Sequence, residues 1–180
     1  MPGGRAGAWR APLIGCGIGG VAGCCLAVGM PDLVLACAAA LALAAVAWRD
    51  FAELRIPDML VVMLAVGAML QAALGSAVDL ADAAIGAAAL YAIGLGAAVW
   101  ARRHQCELGP GDTKLMAVCG AWLGVTAGAL VAPLACFTAA VIIAVRSREQ
   151  PGAVVLLPFG TLLAPFAALA ILGAAIQRAL

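Results

Sequence analysis

The sequence predicts an all-α integral membrane protein, a polytopic bundle of about seven transmembrane helices, with six as the alternative count. Three observations carry that expectation. The 180 residues are 66% hydrophobic and only 11% charged, against about 25% charged in an ordinary soluble domain, which leaves too few polar side chains to cover a water-facing surface. The apolar residues fall in long runs, several of them close to the roughly 20 residues that a spanning helix requires. The charged residues cluster at the ends of those runs, as they do in membrane proteins. A net charge of +1 gives no sign of a nucleic-acid partner, so lipid is the expected surrounding and nucleic acid is not. Nothing in the sequence indicates an oligomeric state.

Each run has its own start and stop. Residues 12–30 form the first expected span; they follow Arg5 and Arg10 and are longer than a signal-peptide core, so they are expected to be retained. Pro31-Asp32 makes a turn, because proline cannot continue helical hydrogen bonding. Residues 33–48 form a second, short span. Residues 57–74 form a third, with Pro57 at the helix start, where a missing N–H costs nothing. A turn over 75–79 leads to a fourth span, 80–101, and then to the longest polar loop, 102–111. The apolar stretch 113–145 is long for one span and short for two; Gly124, Gly128 and Pro133 offer places to turn. Residues 153–176 form the last span. The chain is thus expected to be one membrane-embedded domain over 1–180, with its motif-bearing core at about 46–172.

The basic residues set the expected topology. Arg5, Arg10, Arg49, Arg55, Arg102, Arg103 and Lys114 are expected on the cytoplasmic side, and the turns bearing Asp32, Asp79 and Asp82 outside. If Arg146 and Arg148 are also cytoplasmic, 113–145 is a hairpin, which makes seven spans with the amino terminus inside and the carboxyl terminus outside; with six, those arginines lie outside. Pairs such as Gly15/Gly19, Gly19/Gly23 and Gly124/Gly128 have the spacing of close helix packing. Of the seven cysteines, all but Cys106 lie within apolar runs and no CxxC pair occurs, so they are expected to act as small hydrophobes and not as metal ligands. No metal site and no cofactor is expected; His104 has no partner at ligand spacing.

Two polar segments stand out. One is Trp48-Arg49-Asp50-Phe51-Ala52-Glu53-Leu54-Arg55-Ile56-Pro57-Asp58; the other is Gly109-Pro110-Gly111-Asp112-Thr113-Lys114. The topology puts Asp50 and Asp112 at the same side of the membrane. Two neighbouring carboxylates do not both ionise easily, so they share a proton and supply an acid and a base without a metal. Glycines beside Asp112 permit close approach of a substrate backbone. No charged residue falls at the middle of a span, which counts against a proton-coupled transporter.

Asp50, followed after five residues by Ile56-Pro57-Asp58, resembles the first motif of the type IV prepilin peptidases. Gly109-Pro110-Gly111-Asp112 with Lys114 resembles their second, GxGD motif, and Leu157-Pro158-Phe159-Gly160 is similar to a further segment of that family. The resemblance runs from about Val46 to the carboxyl end. It implies a membrane aspartic endopeptidase that removes the leader of type IV or Flp-type prepilins or pseudopilins at the cytoplasmic face of the bacterial inner membrane, with Asp50 and Asp112 as the catalytic pair and no cofactor. Ile56, Pro57, Asp58, Gly109, Gly111 and Lys114 are the supporting motif residues. The absence of CxxC pairs resembles the short, peptidase-only members of tight-adherence pilus systems, which implies no N-methyltransferase activity. Asp58 stands where those short members often have Asn. It is expected to cap the helix that follows it, with tuning of Asp50 as the alternative; Lys114 is expected to steady the dyad or to reach for lipid headgroups, and Glu53 to draw a basic leader or to face water. The other classes that fit such a chain are a small transporter and a non-catalytic pilus or secretion assembly protein.

Overall fold

The computed structural model describes residues 31–74, 78–103, 106–149, 155–156 and 158–179. Among them are five helices: α1 (Pro31–Glu53), α2 (Asp58–Ala73), α3 (Leu80–Arg103), α4 (Pro110–Glu149) and α5 (Phe159–Ala179). A two-residue strand β1 (Cys106–Glu107) precedes α4, and β2 (Val155–Leu156) precedes α5. The strands pair in parallel, Cys106 with Val155 and Glu107 with Leu156, and so tie together the segments that lead into α4 and α5.

The expected count of about seven membrane helices, or six, is corrected. Four of the five helices are long and apolar enough to cross a membrane, and α2 is a shorter apolar helix. Three causes account for the difference. Residues 1–30, with the first expected span, lie outside the described residues. The 57–74 run forms only the 16-residue α2, about 24 Å at 1.5 Å per residue. The 113–145 run falls within α4, in which two helical stretches meet at Gly124 with no loop between them. That element bends at Gly124, whose φ of 66° and ψ of −172° are not helical. Glycine alone adopts a positive φ without steric cost, and the break is closed electrostatically: the Val125 N–H donates to Asp82 Oδ1 at 3.0 Å. Both sides of the bend lie along α3. Gly120 sits against Gly86 so closely that a Cβ on either would strike the other's backbone, while beyond the bend Gly128 faces Leu90 and Ile143 packs near Ala101.

The core is built from small and branched apolar residues, with Leu43, Val46, Leu90, Leu115, Met116 and Leu163 almost wholly buried. Trp122 locks α4 to α2: its ring lies on Gly67, and its Nε1–H donates to the Leu64 carbonyl at 2.8 Å. The outer faces carry large apolar side chains such as Trp48, Met59, Leu130, Phe137 and Leu169, all more than half exposed, as a lipid-facing surface requires. The protein is a multi-pass helical membrane bundle. At one end of it, the end of α1 meets the starts of α2, α4 and α5.

Candidate active site

Asp50 lies in the last turn of α1 and is 4% exposed, although carboxylates are rarely buried without partners. Its partner comes from the far end of the chain. The Thr161 N–H donates to Asp50 Oδ2 at 2.9 Å, and the Thr161 hydroxyl lies 3.4 Å from the same oxygen and 3.0 Å from the Ala47 carbonyl. Thr161 stands in the first turn of α5, where N–H groups have no helical acceptor and the helix dipole favours an anion. Gly160 makes this approach possible, since a Cβ there would lie 3.0 Å from both Asp50 Oδ2 and Ile56 Cδ1.

Asp112 lies in the first turn of α4 and is 7% exposed. Pro110 opens that helix, where proline is pre-set for the geometry. The Asp112 Oδ2 accepts the Gly109 N–H at 3.0 Å, its own N–H donates back to the Gly109 carbonyl at 3.1 Å, and the Thr113 hydroxyl donates to the Pro110 carbonyl at 2.9 Å. This is a reciprocal cap of the kind that fixes a helix start. The other oxygen, Asp112 Oδ1, is buried and has no hydrogen-bond partner among the described residues. A buried carboxylate oxygen left unpaired is costly, and it marks the place where a water or a proton belongs.

The two carboxylates line one cavity of about 300 Å³, together with Leu54, Arg55, Ile56, Asp58, Gly109, Pro110, Gly111 and Lys114. Ile56 lines it against Gly111, which approaches so closely that a Cβ there would lie 3.1 Å from Ile56 Cβ. Leu54 ends α1 with a φ of 51°, a left-handed conformation uncommon outside glycine and found disproportionately at functional sites. The structure therefore brings Asp50, Ile56, Asp58, Gly109, Gly111, Asp112 and Lys114 together around one cavity, with Pro57 at the N-cap of α2.

One expectation is corrected here. Asp58 does not cap α2: Pro57 holds the cap position, and no side chain bonds there. Asp58 instead accepts the Lys114 ammonium at 2.8 Å, which ties α2 to α4, and this bond and charge hold its carboxyl below the usual carboxylate range. Lys114, so paired with Asp58, lines the same cavity as the two dyad carboxylates. Glu53 pairs with Arg49 one turn back, both half exposed. Leu54, Arg55, Gly160 and Thr161 were not among the site residues expected from sequence, although Arg55 was read as a topology signal and Gly160 as part of a family-like segment. A signal for the last two exists in hindsight: a Gly-Thr pair just after Pro158-Phe159 opens a helix, and helix starts are where anions are held.

A model of the type IV leader peptidase family matches residues 35–144, a stretch that contains both Asp50 and Asp112. The chain is 36% identical over 129 residues to the prepilin leader peptidase/N-methyltransferase of Aeromonas salmonicida strain A449, covering 68% of this chain and 43% of that protein. The protein of the same name from Aeromonas hydrophila is matched to the same extent. The chain thus spans less than half the length of these relatives. No solved structure matches it. On the family match over most of its described residues, the chain belongs to the type IV leader peptidase family.

Proposed function

We propose that this protein is a membrane aspartic endopeptidase that removes the leader of type IV or Flp-type prepilins or pseudopilins, with Asp50 and Asp112 activating water between them. The observation that carries the proposal is the shared cavity: two buried carboxylates from separate helices line it, and one of them has an unpartnered oxygen. In the reaction, one carboxylate takes a proton from water as its oxygen adds to the scissile carbonyl carbon. The other, protonated, donates to the carbonyl oxygen. Collapse of the tetrahedral intermediate breaks the C–N bond, and the departing amine takes back a proton. Asp50 Oδ2 is occupied by Thr161 and Asp112 Oδ2 by Gly109, which leaves the Oδ1 atoms for water and substrate. Thr161 and Gly160 act as positioning residues for Asp50.

The bacterial inner membrane is the proposed location, with the cavity at the cytoplasmic face. Arg49, Arg55, Arg102, Arg103 and Lys114 all lie at the dyad end of the bundle, which supports that orientation under the positive-inside tendency. The relatives are named for two activities; for this chain we propose cleavage without methyl transfer, because its 180 residues contain no CxxC pair. The test is co-expression with a prepilin, scored by loss of the leader and by the mass of the new amino terminus. Asp50→Ala and Asp112→Ala are each expected to leave the precursor intact while the protein still inserts, and the wild-type product is expected to be unmethylated. Leader removal by either variant at the wild-type rate refutes the dyad, and a methylated product made by the purified protein refutes the restriction to cleavage.

A further inference from the structure

A second cavity, of about 190 Å³, lies at the other end of the bundle, where the start of α1, the end of α2, the start of α3, the bend of α4 and the end of α5 converge. Its polar lining is Asp32, Gln71, Asp82, Thr126 and Arg178, with Trp122 beside them. Gln71 is 6% exposed, and its Oε1 is buried without a hydrogen-bond partner among the described residues. An amide oxygen left in that state is destabilising, so a native bundle that keeps it points to a donor other than the described residues.

The lining shows what kind of donor fits. Arg178 gives Nη1 to Asp32 Oδ2 and Nε to the Ala174 carbonyl, both at 3.0 Å, and Trp122 gives Nε1 to Leu64; none of these bonds reaches Gln71. The lining holds two carboxylates, Asp32 and Asp82, to one guanidinium, and Gln71 Oε1 is a buried acceptor without a partner among the described residues; Asp32 Oδ2 accepts Arg178 and Asp82 Oδ1 accepts the Val125 N–H, so the negative charge is in excess. The site therefore favours a cation that carries hydrogen-bond donors. A divalent metal is disfavoured, since no group of three or more His, Cys, Asp or Glu suited to one occurs among the described residues and hard cations take six or more oxygen ligands. A quaternary ammonium has no N–H to satisfy Gln71, and it prefers an aromatic cage. A primary ammonium, with three donors, matches both the charge and the unpaired oxygen.

Depth identifies the source. Asp32 and Asp50 lie at opposite ends of α1, about 27 Å apart at 1.5 Å per residue, close to the roughly 30 Å of a bilayer's hydrocarbon core. With the dyad at one membrane boundary, this cavity lies at the headgroup level of the other. We propose that it is a binding site for a primary ammonium group, held by Gln71 and Asp82, and that the group is supplied by the headgroup of an aminophospholipid.

The test is thermal unfolding of the full chain in vesicles of phosphatidylcholine alone, in vesicles containing phosphatidylethanolamine, and in phosphatidylcholine vesicles titrated with ethylamine. Wild type is expected to melt about 3 °C higher with phosphatidylethanolamine than without it, the size expected of a one-site ligand well above its Kd on a chain of this length. Gln71→Leu replaces an unpaired buried amide by an apolar group; it is expected to melt in phosphatidylcholine no lower than wild type and to lose the phosphatidylethanolamine increment. A saturable rise with ethylamine and none with phosphatidylethanolamine overturns the lipid as the source. Equal melting of wild type under all three conditions, or the same phosphatidylethanolamine gain in Gln71→Leu, overturns the site and leaves a cavity that holds water only.

Discussion

Replacing Gly160 by alanine probes how tightly the start of α5 holds Asp50. The added methyl would lie 3.0 Å from Asp50 Oδ2, 3.3 Å from its Cγ and 3.0 Å from Ile56 Cδ1. Comfortable carbon contacts lie at about 3.5–4.0 Å, so the carboxylate and the helix start must separate by about half an ångström. The bond from the Thr161 N–H is now 2.9 Å; stretched by that amount, it leaves the normal range of about 2.7–3.2 Å. Misplacing a reacting group by 1 Å can lower a rate about a hundredfold, so half of that shift predicts a loss of roughly tenfold in cleavage. Stability falls as well, by about 1–3 kcal/mol for an overpacked site. The assay is the rate of leader removal from a co-expressed prepilin at matched membrane levels of enzyme. Gly173→Ala is the control: nothing lies within 4 Å of a Cβ there, and a Gly-to-Ala change within a helix adds stability of up to about 1 kcal/mol. Wild-type cleavage by the Gly160→Ala protein at normal levels would refute the positioning role of this contact.

Gly124→Ala puts a Cβ into the Asp82 carboxylate at a positive φ, so it is expected to reduce the amount of folded protein in the membrane and its melting temperature far more than Gly96→Ala, where a Cβ meets nothing. Trp122→Phe keeps most of the ring packing but loses the bond to the Leu64 carbonyl; a loss of about 1 kcal/mol should lower the melting temperature by about 2–4 °C, and an unchanged melting temperature would count against this link between α2 and α4. The Asp58 carboxyl is expected to titrate below the ordinary aspartate range and to return to it in Lys114→Met, as followed by carboxyl NMR. Because the folded value is the depressed one, the tie to Lys114 is in force above the ordinary carboxylate range and is lost as pH falls through the lowered value. An ordinary Asp58 titration in the wild type would contradict the ion pair.

The site's two acidic segments were legible because Asp50 and Asp112 interrupt a chain otherwise built from Ala, Leu, Val and Gly, and because Pro57 sits at the helix start it was expected to mark; Pro110, expected in a loop, opens α4 instead. What sequence could not show depends on partners distant in the chain. Thr161 meets Asp50 across 111 positions, and Lys114 meets Asp58 across 56; local capping rules gave Asp58 a cap that Pro57 already occupies. The span count failed for a different reason. Along 113–145 the hydropathy is almost uniform, so the choice between one span and two rested on length, on the turn candidates Gly124, Gly128 and Pro133, and on the side assigned to Arg146 and Arg148. The outcome turned instead on one positive-φ glycine and on an aspartate from α3 that accepts the N–H freed at the bend.

The central claim, that Asp50 and Asp112 cleave together, is tested most directly with purified, reconstituted protein. Asp50→Asn and Asp112→Asn keep the size of each side chain and remove only its acid chemistry. A single-turnover assay on a prepilin peptide should show no leader release with either variant, while each binds the peptide and melts within a few degrees of wild type. Release by either one at the wild-type rate would contradict the claim.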